Sequence, residues 1–222
     1  MLIDKPGDIE RRSMEIIEAE LSARGVALPE ETAAVVKRVI HTTADFDYAE
    51  TLRFSDGCVS RALAALRQGA VLVTDTNMAL AGLSAPAMKK LGCEAHCFMA
   101  ETQIAAAAKE AGTTRAAAAM DYALARFPNA VFAVGNAPTA LLRLAERIGH
   151  GERPALVIGV PVGFVNVVES KERARDVCER YGVPYIIALG RKGGSNVAAA
   201  ICNALLYQAA GLLDPAARDG QR

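Results

Sequence analysis

The sequence predicts an α/β fold, a three-layer sandwich with a mostly parallel central sheet, Rossmann-like but without a dinucleotide fingerprint. Short apolar runs rich in β-branched residues recur along the chain, and each is followed by a segment with helical periodicity. Near-continuous apolar strands that alternate with helices are typical of a parallel sheet covered on both faces. Five strands are predicted, at residues 70–74, 95–98, 130–134, 155–159 and 185–189.

The helices are predicted from the spacing of apolar residues and from the residues at their ends. Pro138 follows a short polar turn and suits the first turn of a helix, while Ser195 or Asn196 can cap the apolar segment after it. The alanine-rich segments favour helix over linker. Nine helices are predicted, at residues 8–24, 29–41, 56–68, 84–91, 101–111, 114–127, 138–148, 167–181 and 195–210.

Length and composition favour one domain, residues 1–222, with a frayed tail from about residue 214. The 222 residues are 52% hydrophobic, which is enough for one well-buried core. The 25 basic and 25 acidic residues cancel, so we expect no binding to nucleic acid or to an anionic membrane surface. No apolar run is long enough to span a bilayer and no signal peptide is evident, so a cytoplasmic protein is predicted.

The five cysteines form an odd, scattered set that favours free thiols in a reducing compartment. One cluster, Cys93-Glu94-Ala95-His96-Cys97, has the residue types of a metal site. Its residues alternate as in a strand, however, and no second ligand pair follows at zinc-finger spacing. We therefore predict buried cysteines and no metal ligands.

Three glycine-bearing turns directly follow predicted strands and are candidates for ligand binding. They begin at Gly135, Gly159 and Gly190. Ligands of parallel α/β sheets bind beyond the carboxyl ends of the strands, where helix N-termini receive anions. The turns are thus candidate walls of one pocket, although glycines that only permit tight turns explain each of them equally well. None matches a dinucleotide-binding or P-loop motif.

His41 is the best catalytic candidate among the three histidines. An imidazole titrates near neutrality, and His41 stands among polar groups at the end of a predicted helix. Arg38 precedes it by three positions and shares its helix face, so this arginine can anchor a carboxylate while the imidazole meets the interior of the same ligand. On spacing alone, a histidine that only caps its helix end is the favoured explanation, which the motifs must overcome.

Two further helices supply candidate ligand-binding residues. Arg12 and Ser13 lie on the first predicted helix, where simple surface solvation also explains Arg12. Arg115 stands at a helix start, where a cation is unfavourable for the helix dipole. That placement favours a binding role for Arg115 over a stabilising one.

Taken in order over residues 8–210, several segments resemble the precorrin-8X methylmutase family of cobalamin biosynthesis, including its cobalt-precorrin-8 branch. An ordered series of this kind is far more specific than any single motif. The matching segments are Glu10-Arg11-Arg12-Ser13, Val39-Ile40-His41, Thr74-Asp75-Thr76-Asn77-Met78, Gly112-Thr113-Thr114-Arg115, residues 135–141, residues 159–165 with Glu169-Ser170-Lys171, and residues 190–195.

The resemblance implies an isomerase that moves a methyl group from C-11 to C-12 of a corrin precursor. It implies a homodimer with active sites near the subunit interface, His41 as proton donor and acceptor, and Ser13 and Arg38 as substrate contacts. Arg115 is a further implied contact. No cofactor is implied, since any cobalt belongs to the substrate. The segments 75–77 and 93–98 resemble the cobalt branch more closely, and product hand-off to the next enzyme of the pathway is a further implied partnership.

Two other functions stay open at this point. A nucleotide-dependent α/β transferase would use the glycine turns, although the phosphate-binding signatures are missing. A noncatalytic tetrapyrrole carrier would bind the rearranged product without forming it. Multiple turnover separates the carrier from the enzyme.

Overall fold

The computed structural model describes residues 4–219 and confirms the three-layer α/β sandwich. Its six-stranded sheet has the order β1-β6-β5-β4-β2-β3. Strands β2 to β6 are parallel, and β1 pairs with β6 in the antiparallel sense. The strands are β1 Leu52–Phe54, β2 Leu72–Thr74, β3 Ala95–His96, β4 Val131–Val134, β5 Leu156–Gly159 and β6 Tyr185–Ala188.

All nine predicted helices are present, with ends within two residues of the prediction. The structure adds the short strand β1 and three short helices that the sequence pattern did not predict, at Tyr48–Thr51, Asn77–Ala81 and Ala216–Asp219. The helices are α1 Pro6–Ala23, α2 Glu30–Thr43, α3 Tyr48–Thr51, α4 Cys58–Arg67, α5 Asn77–Ala81, α6 Ala85–Leu91, α7 Thr102–Glu110, α8 Arg115–Arg126, α9 Pro138–Gly149, α10 Val167–Tyr181, α11 Ser195–Ala210 and α12 Ala216–Asp219.

Two hydrophobic cores lie on opposite faces of the sheet because successive strand residues point to opposite sides. In β4, for example, Val131 and Ala133 face one core while Phe132 and Val134 face the other. The first core is covered by α1, α2, α4, α5, α6 and α11. The second is covered by α7 to α10.

The C-terminal segment differs from the prediction of a frayed tail beginning near residue 214. Residues 216–219 form α12, and the Arg218 side chain reaches back to Glu10 on α1. The rest of the predicted tail, residues 220–222, lies outside the described residues. A long-range ion pair therefore orders a segment that has no local signal for order.

The loops that follow the strands pack against one another and cover the carboxyl ends of the strands. Asp75, which follows β2, is buried, and its carboxylate accepts hydrogen bonds of 2.7–2.9 Å from the backbone N–H groups of Gly135, Asn136 and Ala137. Burial raises the pKa of Asp75, and the three amide donors oppose that rise. The anion-receptive amides at the start of α9 are thus occupied by the protein's own carboxylate.

The turn after β6 is packed just as closely against the turn after β5. A Cβ atom added at Gly193 would lie 2.1 Å from the carbonyl oxygen of Val160. Gly194 N–H donates to that same oxygen. The glycine at position 193 is required for this close approach of two backbones.

We expect Gly193→Ala to lower the free energy of unfolding by about 3 kcal/mol, since the new methyl group overlaps backbone that cannot move aside cheaply. Gly149→Ala is the matched control, because a Cβ at Gly149 meets nothing within 4 Å. Urea denaturation followed by circular dichroism measures both. Equal unfolding free energies for the two variants would contradict the close approach.

Candidate active site

The candidate active site lies where α1 packs across α2. Ile17 and Leu21 of α1 and Val36 and Ile40 of α2 are buried in the first core. Burial of such side chains stabilises the pair by about 1.5–3 kcal/mol each, so apolar packing fixes the position of α1. Because α1 is fixed in this way, polar side chains one or two turns away along α1 lie within contact of α2.

Ser13 of α1 and His41 of α2 are joined by a hydrogen bond. Ser13 Oγ lies 2.8 Å from His41 Nδ1, and the direction of donation depends on the tautomer. Among the described residues 4–219, no hydrogen bond is recorded for Nε2 of His41. The serine therefore orients the ring through one nitrogen and leaves the other for a ligand.

The backbone after His41 is held in a fixed turn. Ala44 ends α2 in the left-handed conformation, with φ 53°. Lys192, from the turn after β6, donates to the carboxylates of both Asp45 and Asp47 at 2.6 Å. These ion pairs place the His41 end of α2 beside the carboxyl edge of the sheet, where ligands of α/β proteins bind.

A cleft of about 560 Å³ opens beside the Ser13–His41 pair. Its size and composition suit an organic ligand, since most of its surface is apolar and a few polar groups converge on it. Exposed Ile9 and Ile16 supply apolar surface from α1. The full lining is Ile9, Arg12, Ser13, Ile16, Ile17, Glu20, Ile40, His41, Ala44 and Phe46.

Arg38 is not part of that lining, because its guanidinium is already engaged. Its Nη2 donates to Glu10 Oε1 at 2.6 Å, and Arg218 Nη2 donates to the same oxygen at 2.5 Å. Both guanidinium groups also lie over the ring of Tyr207. The distance from Cζ to the ring centroid is 5.4 Å for Arg38 and 4.4 Å for Arg218. The predicted carboxylate anchor thus holds a carboxylate of its own chain.

The pairs Glu10–Arg38 and Ser13–His41 are neighbouring cross-helix contacts. In each pair the α2 residue is 28 positions after its α1 partner. Glu10 is three residues before Ser13, and Arg38 is three residues before His41, so each helix presents both residues on one face. The arginine cluster therefore lies about one helical turn from the imidazole.

Burial and charge both shift the titration of His41. Partial burial is the largest cause that lowers its pKa, and the nearby positive charge of Arg38 lowers it further. Glu10 acts in the opposite direction, and Arg218 adds a smaller lowering effect. The protonated imidazole of His41 is consequently a stronger acid than free imidazolium.

Arg115 does not join this cluster within the chain. It is exposed at the start of α8, which packs in the second core on the other face of the sheet. Thr114 caps α8 and also donates to Thr139 at the start of α9. Arg115 therefore lies at the carboxyl edge too, but in the layer opposite His41.

The three glycine turns do not line the cleft beside His41. Sequence reasoning also assigned no role to Glu10 or Arg218, which the structure brings to Arg38. Glu10 had a usable signal, because it precedes Ser13 by one helical turn. Arg218 had none, since it lies 180 positions from Arg38 in a segment without apolar periodicity.

The described residues contain neither a metal-ligand cluster nor a membrane-spanning helix. Within residues 4–219, no group of three or more His, Cys, Asp or Glu side chains is arranged to hold a metal ion. Across the same residues, no helix has the length and apolarity needed to span a membrane. All five cysteines are free thiols, and Cys97 is the partly exposed one.

Comparison with known proteins gives one consistent result. The family model for precorrin-8X methylmutase matches residues 8–208. Cobalt-precorrin-8 methylmutase of Salmonella typhimurium is 47% identical over 175 residues, 78% of this chain and 80% of that protein. Cobalt-precorrin-8 methylmutase of Leptospira interrogans is 40% identical over 205 residues, 90% of this chain and 92% of that protein.

A solved structure is similar over nearly the whole fold. Precorrin-8X methylmutase from Thermus thermophilus superposes with a TM-score of 0.83 at 41% identity. The match covers 92% of this chain and 96% of the Thermus chain.

We expect His41 to titrate below its ordinary pKa of 6.5, and Arg38→Gln to raise that pKa because a nearby positive charge is lost. Glu10→Gln is expected to lower it. NMR titration of the His41 ring measures this pKa in the wild-type protein and in both variants.

The same shift has a consequence for stability. Because the unfolded chain binds the His41 proton more readily, the contribution of His41 is present above pH 6.5 and is lost as the pH falls through the folded pKa. A His41 pKa above 6.5 in the wild-type protein would contradict the assigned environment.

Proposed function

This chain belongs to the precorrin-8X methylmutase family, and we propose that it is an isomerase of cobalamin biosynthesis that moves a methyl group from C-11 to C-12 of a corrin precursor. The observation that supports this most directly is the Ser13–His41 hydrogen bond at the edge of an apolar cleft. A conjugated macrocycle needs an apolar surface of this kind, and its acid arms need separate cationic partners.

His41 is the proposed proton donor and acceptor. Protonation of a ring nitrogen by the imidazolium redistributes the π-electrons of the macrocycle and lowers the barrier to methyl migration. The neutral imidazole then takes the proton back, so the reaction has no net proton change. Acid–base catalysis of this type contributes about 10²- to 10⁴-fold to the rate.

Ser13 and Arg38 have supporting roles in this proposal. Ser13 fixes the imidazole through Nδ1, so that Nε2 faces the bound ring. Arg38 binds an acid arm of the substrate about one helical turn away. Since a large flexible substrate must be held in one orientation, such contacts supply much of the remaining rate enhancement.

The proposed enzyme has no resident cofactor, because methyl migration within one molecule needs no oxidant, nucleotide or metal ligand. Cobalt, where present, belongs to the substrate. The relatives from Salmonella and Leptospira are named for cobalt-precorrin-8, and the Thermus protein for precorrin-8X. We propose cobalt-precorrin-8 as the first substrate to assay and precorrin-8X as the second.

We further propose a homodimer in which Arg115 of the partner subunit contacts the substrate held by His41. The carboxyl edge exposes large apolar side chains, among them Phe164 at 83% and Val165 at 76% in the loop after β5 and Met78 at 72% in α5. Exposed apolar surface of this kind marks an interaction site, and two-fold dimers are the commonest oligomers. Arg115 lies at that same edge, in the layer away from His41.

A cytoplasmic location and product hand-off complete the proposal. Free cysteines fit a reducing compartment. Hand-off requires that the rearranged corrin stays bound to the protein. Gel filtration measures this, because a retained corrin elutes with the protein as a coloured fraction.

We expect His41→Ala to bind the precursor but to convert it about 10²- to 10⁴-fold more slowly, because the proton donor is lost. Ser13→Ala should show a smaller loss, since the imidazole remains but is less well oriented. His150→Ala, an exposed histidine at the end of α9, is the matched control. Absorbance spectra of the precursor and product measure turnover.

Normal turnover by His41→Ala would remove the assigned catalytic role. Binding without conversion by the wild-type protein would instead favour a noncatalytic tetrapyrrole carrier.

We expect a mixture of His41→Ala and Arg115→Ala chains to be more active than either variant alone. In a mixed dimer one site has both substitutions and the other has neither, so random mixing restores about a quarter of the wild-type sites. The measurement is turnover after the two purified variants are exchanged under mild denaturant and refolded together. If both residues act within one chain, mixing restores no activity.

A further inference from the structure

The cluster beside His41 has two guanidinium groups for one carboxylate. Arg38 and Arg218 both donate to the same oxygen of Glu10, at 2.6 Å and 2.5 Å. The three side chains are largely buried, with exposed fractions of 12%, 16% and 20% for Arg38, Arg218 and Glu10. Among the ion pairs of the described residues, Glu10 is the carboxylate that each arginine contacts.

Counted over the described residues, the cluster therefore holds one positive charge in excess. Partial burial makes such a charge unfavourable unless a further anion accompanies it. Arg218 Nε is also buried without a hydrogen-bond partner, so Glu10 leaves part of that guanidinium unsatisfied. Both observations indicate that the cluster is complete only when a second carboxylate is present.

The position of the Arg38, Glu10 and Arg218 cluster in the fold indicates the source of this second carboxylate. Glu10 and Arg38 lie one turn from Ser13 and His41 on the same two helices. Three residues of helix correspond to about 4.5 Å along the axis. On the proposed function, a corrin ring that reaches His41 therefore carries its acid arms past this cluster.

We propose that Arg218 is a positioning residue that draws Glu10 away from Arg38 and so frees Arg38 to bind one acid arm of the corrin precursor. With the arm bound, two carboxylates face two guanidinium groups, and each guanidinium has a partner of its own. The pairing with Glu10 also docks α12 against the site. This inference rests on the proposed function and adds Glu10 and Arg218 to it.

The proposal makes a specific prediction about charge. In Arg218→Gln, Glu10 has Arg38 as its single partner and competes with the arm, so binding weakens. In the double variant Glu10→Gln/Arg218→Gln that competitor is gone, the cluster regains its single excess positive charge, and binding recovers. A residue with a merely structural role is not rescued by removal of a second side chain.

The test is an absorbance titration with the rearranged corrin polyacid. We expect Arg218→Gln to raise the Kd by about tenfold or more, as loss of a charge-assisted contact does. The double variant should return to within about threefold of the wild-type Kd, within the usual additivity error. In turnover assays Arg218→Gln should raise KM and leave kcat unchanged, since the arm is remote from the reacting atoms.

Two controls separate this effect from general damage. Arg153 lies over the ring of Tyr181 at 5.1 Å, much as Arg218 lies over Tyr207, so Arg153→Gln should leave the Kd unchanged. The fully methyl-esterified corrin has no acid arms, so wild type and Arg218→Gln should bind it equally. If Arg218→Gln unfolds, Glu10→Gln is measured instead and should bind the polyacid at least as tightly as wild type.

Several outcomes would overturn the proposal. They are an unchanged Kd in Arg218→Gln, no recovery in the double variant, equal weakening toward acid and ester, or weaker polyacid binding by Glu10→Gln. Each of them leaves the proposed function intact if wild type converts the precursor and His41→Ala does not. Failure of the wild-type protein to bind the polyacid would overturn the proposed function and this inference together.

Discussion

The site depends on the packing of α1 across α2. Burial of Ile17 and Leu21 contributes about 1.5–3 kcal/mol for each side chain, whereas a single hydrogen bond such as Ser13–His41 contributes about 1 kcal/mol net. The apolar contact therefore decides where α1 lies, and the hydrogen bond decides how the imidazole is turned. The proposed general-acid role of His41 needs both, because a donated proton must be presented at a defined place and in a defined direction.

The carboxyl edge of the sheet explains why the cleft lies to one side of it. In many α/β proteins the helix N-termini at this edge receive an anionic ligand. Here Asp75 fills that role for α9, and Gly193 packs its backbone against Val160. These loops satisfy one another, and the apolar cleft is lined instead by α1, α2 and the residues that directly follow α2. The close packing at Gly193 also fixes the position of Lys192, which donates to Asp45 and Asp47 in the turn after His41.

Charge is balanced over the whole chain, but not within the cluster of Arg38, Glu10 and Arg218. The 25 basic and 25 acidic residues give no long-range field, so anion binding must come from local groups. The Arg38, Glu10 and Arg218 cluster is such a group, and its half-buried setting makes each charge count for more than it does at the surface. The charges of the same three residues also act on the pKa of His41, which Arg38 and Arg218 lower and Glu10 raises.

The sequence by itself determined the nine longer helices, the five parallel strands and the family, and it indicated His41 as the catalytic candidate. Those features depend on periodicity, capping and ordered motifs, which are local in the chain. Tertiary structure alone decided that β1 pairs in the antiparallel sense, that Glu10 occupies Arg38, that Arg218 returns to the site and that Arg115 lies in the opposite layer. Each of these depends on segments far apart in sequence meeting in space, and a pattern read along one segment contains no information about its partner.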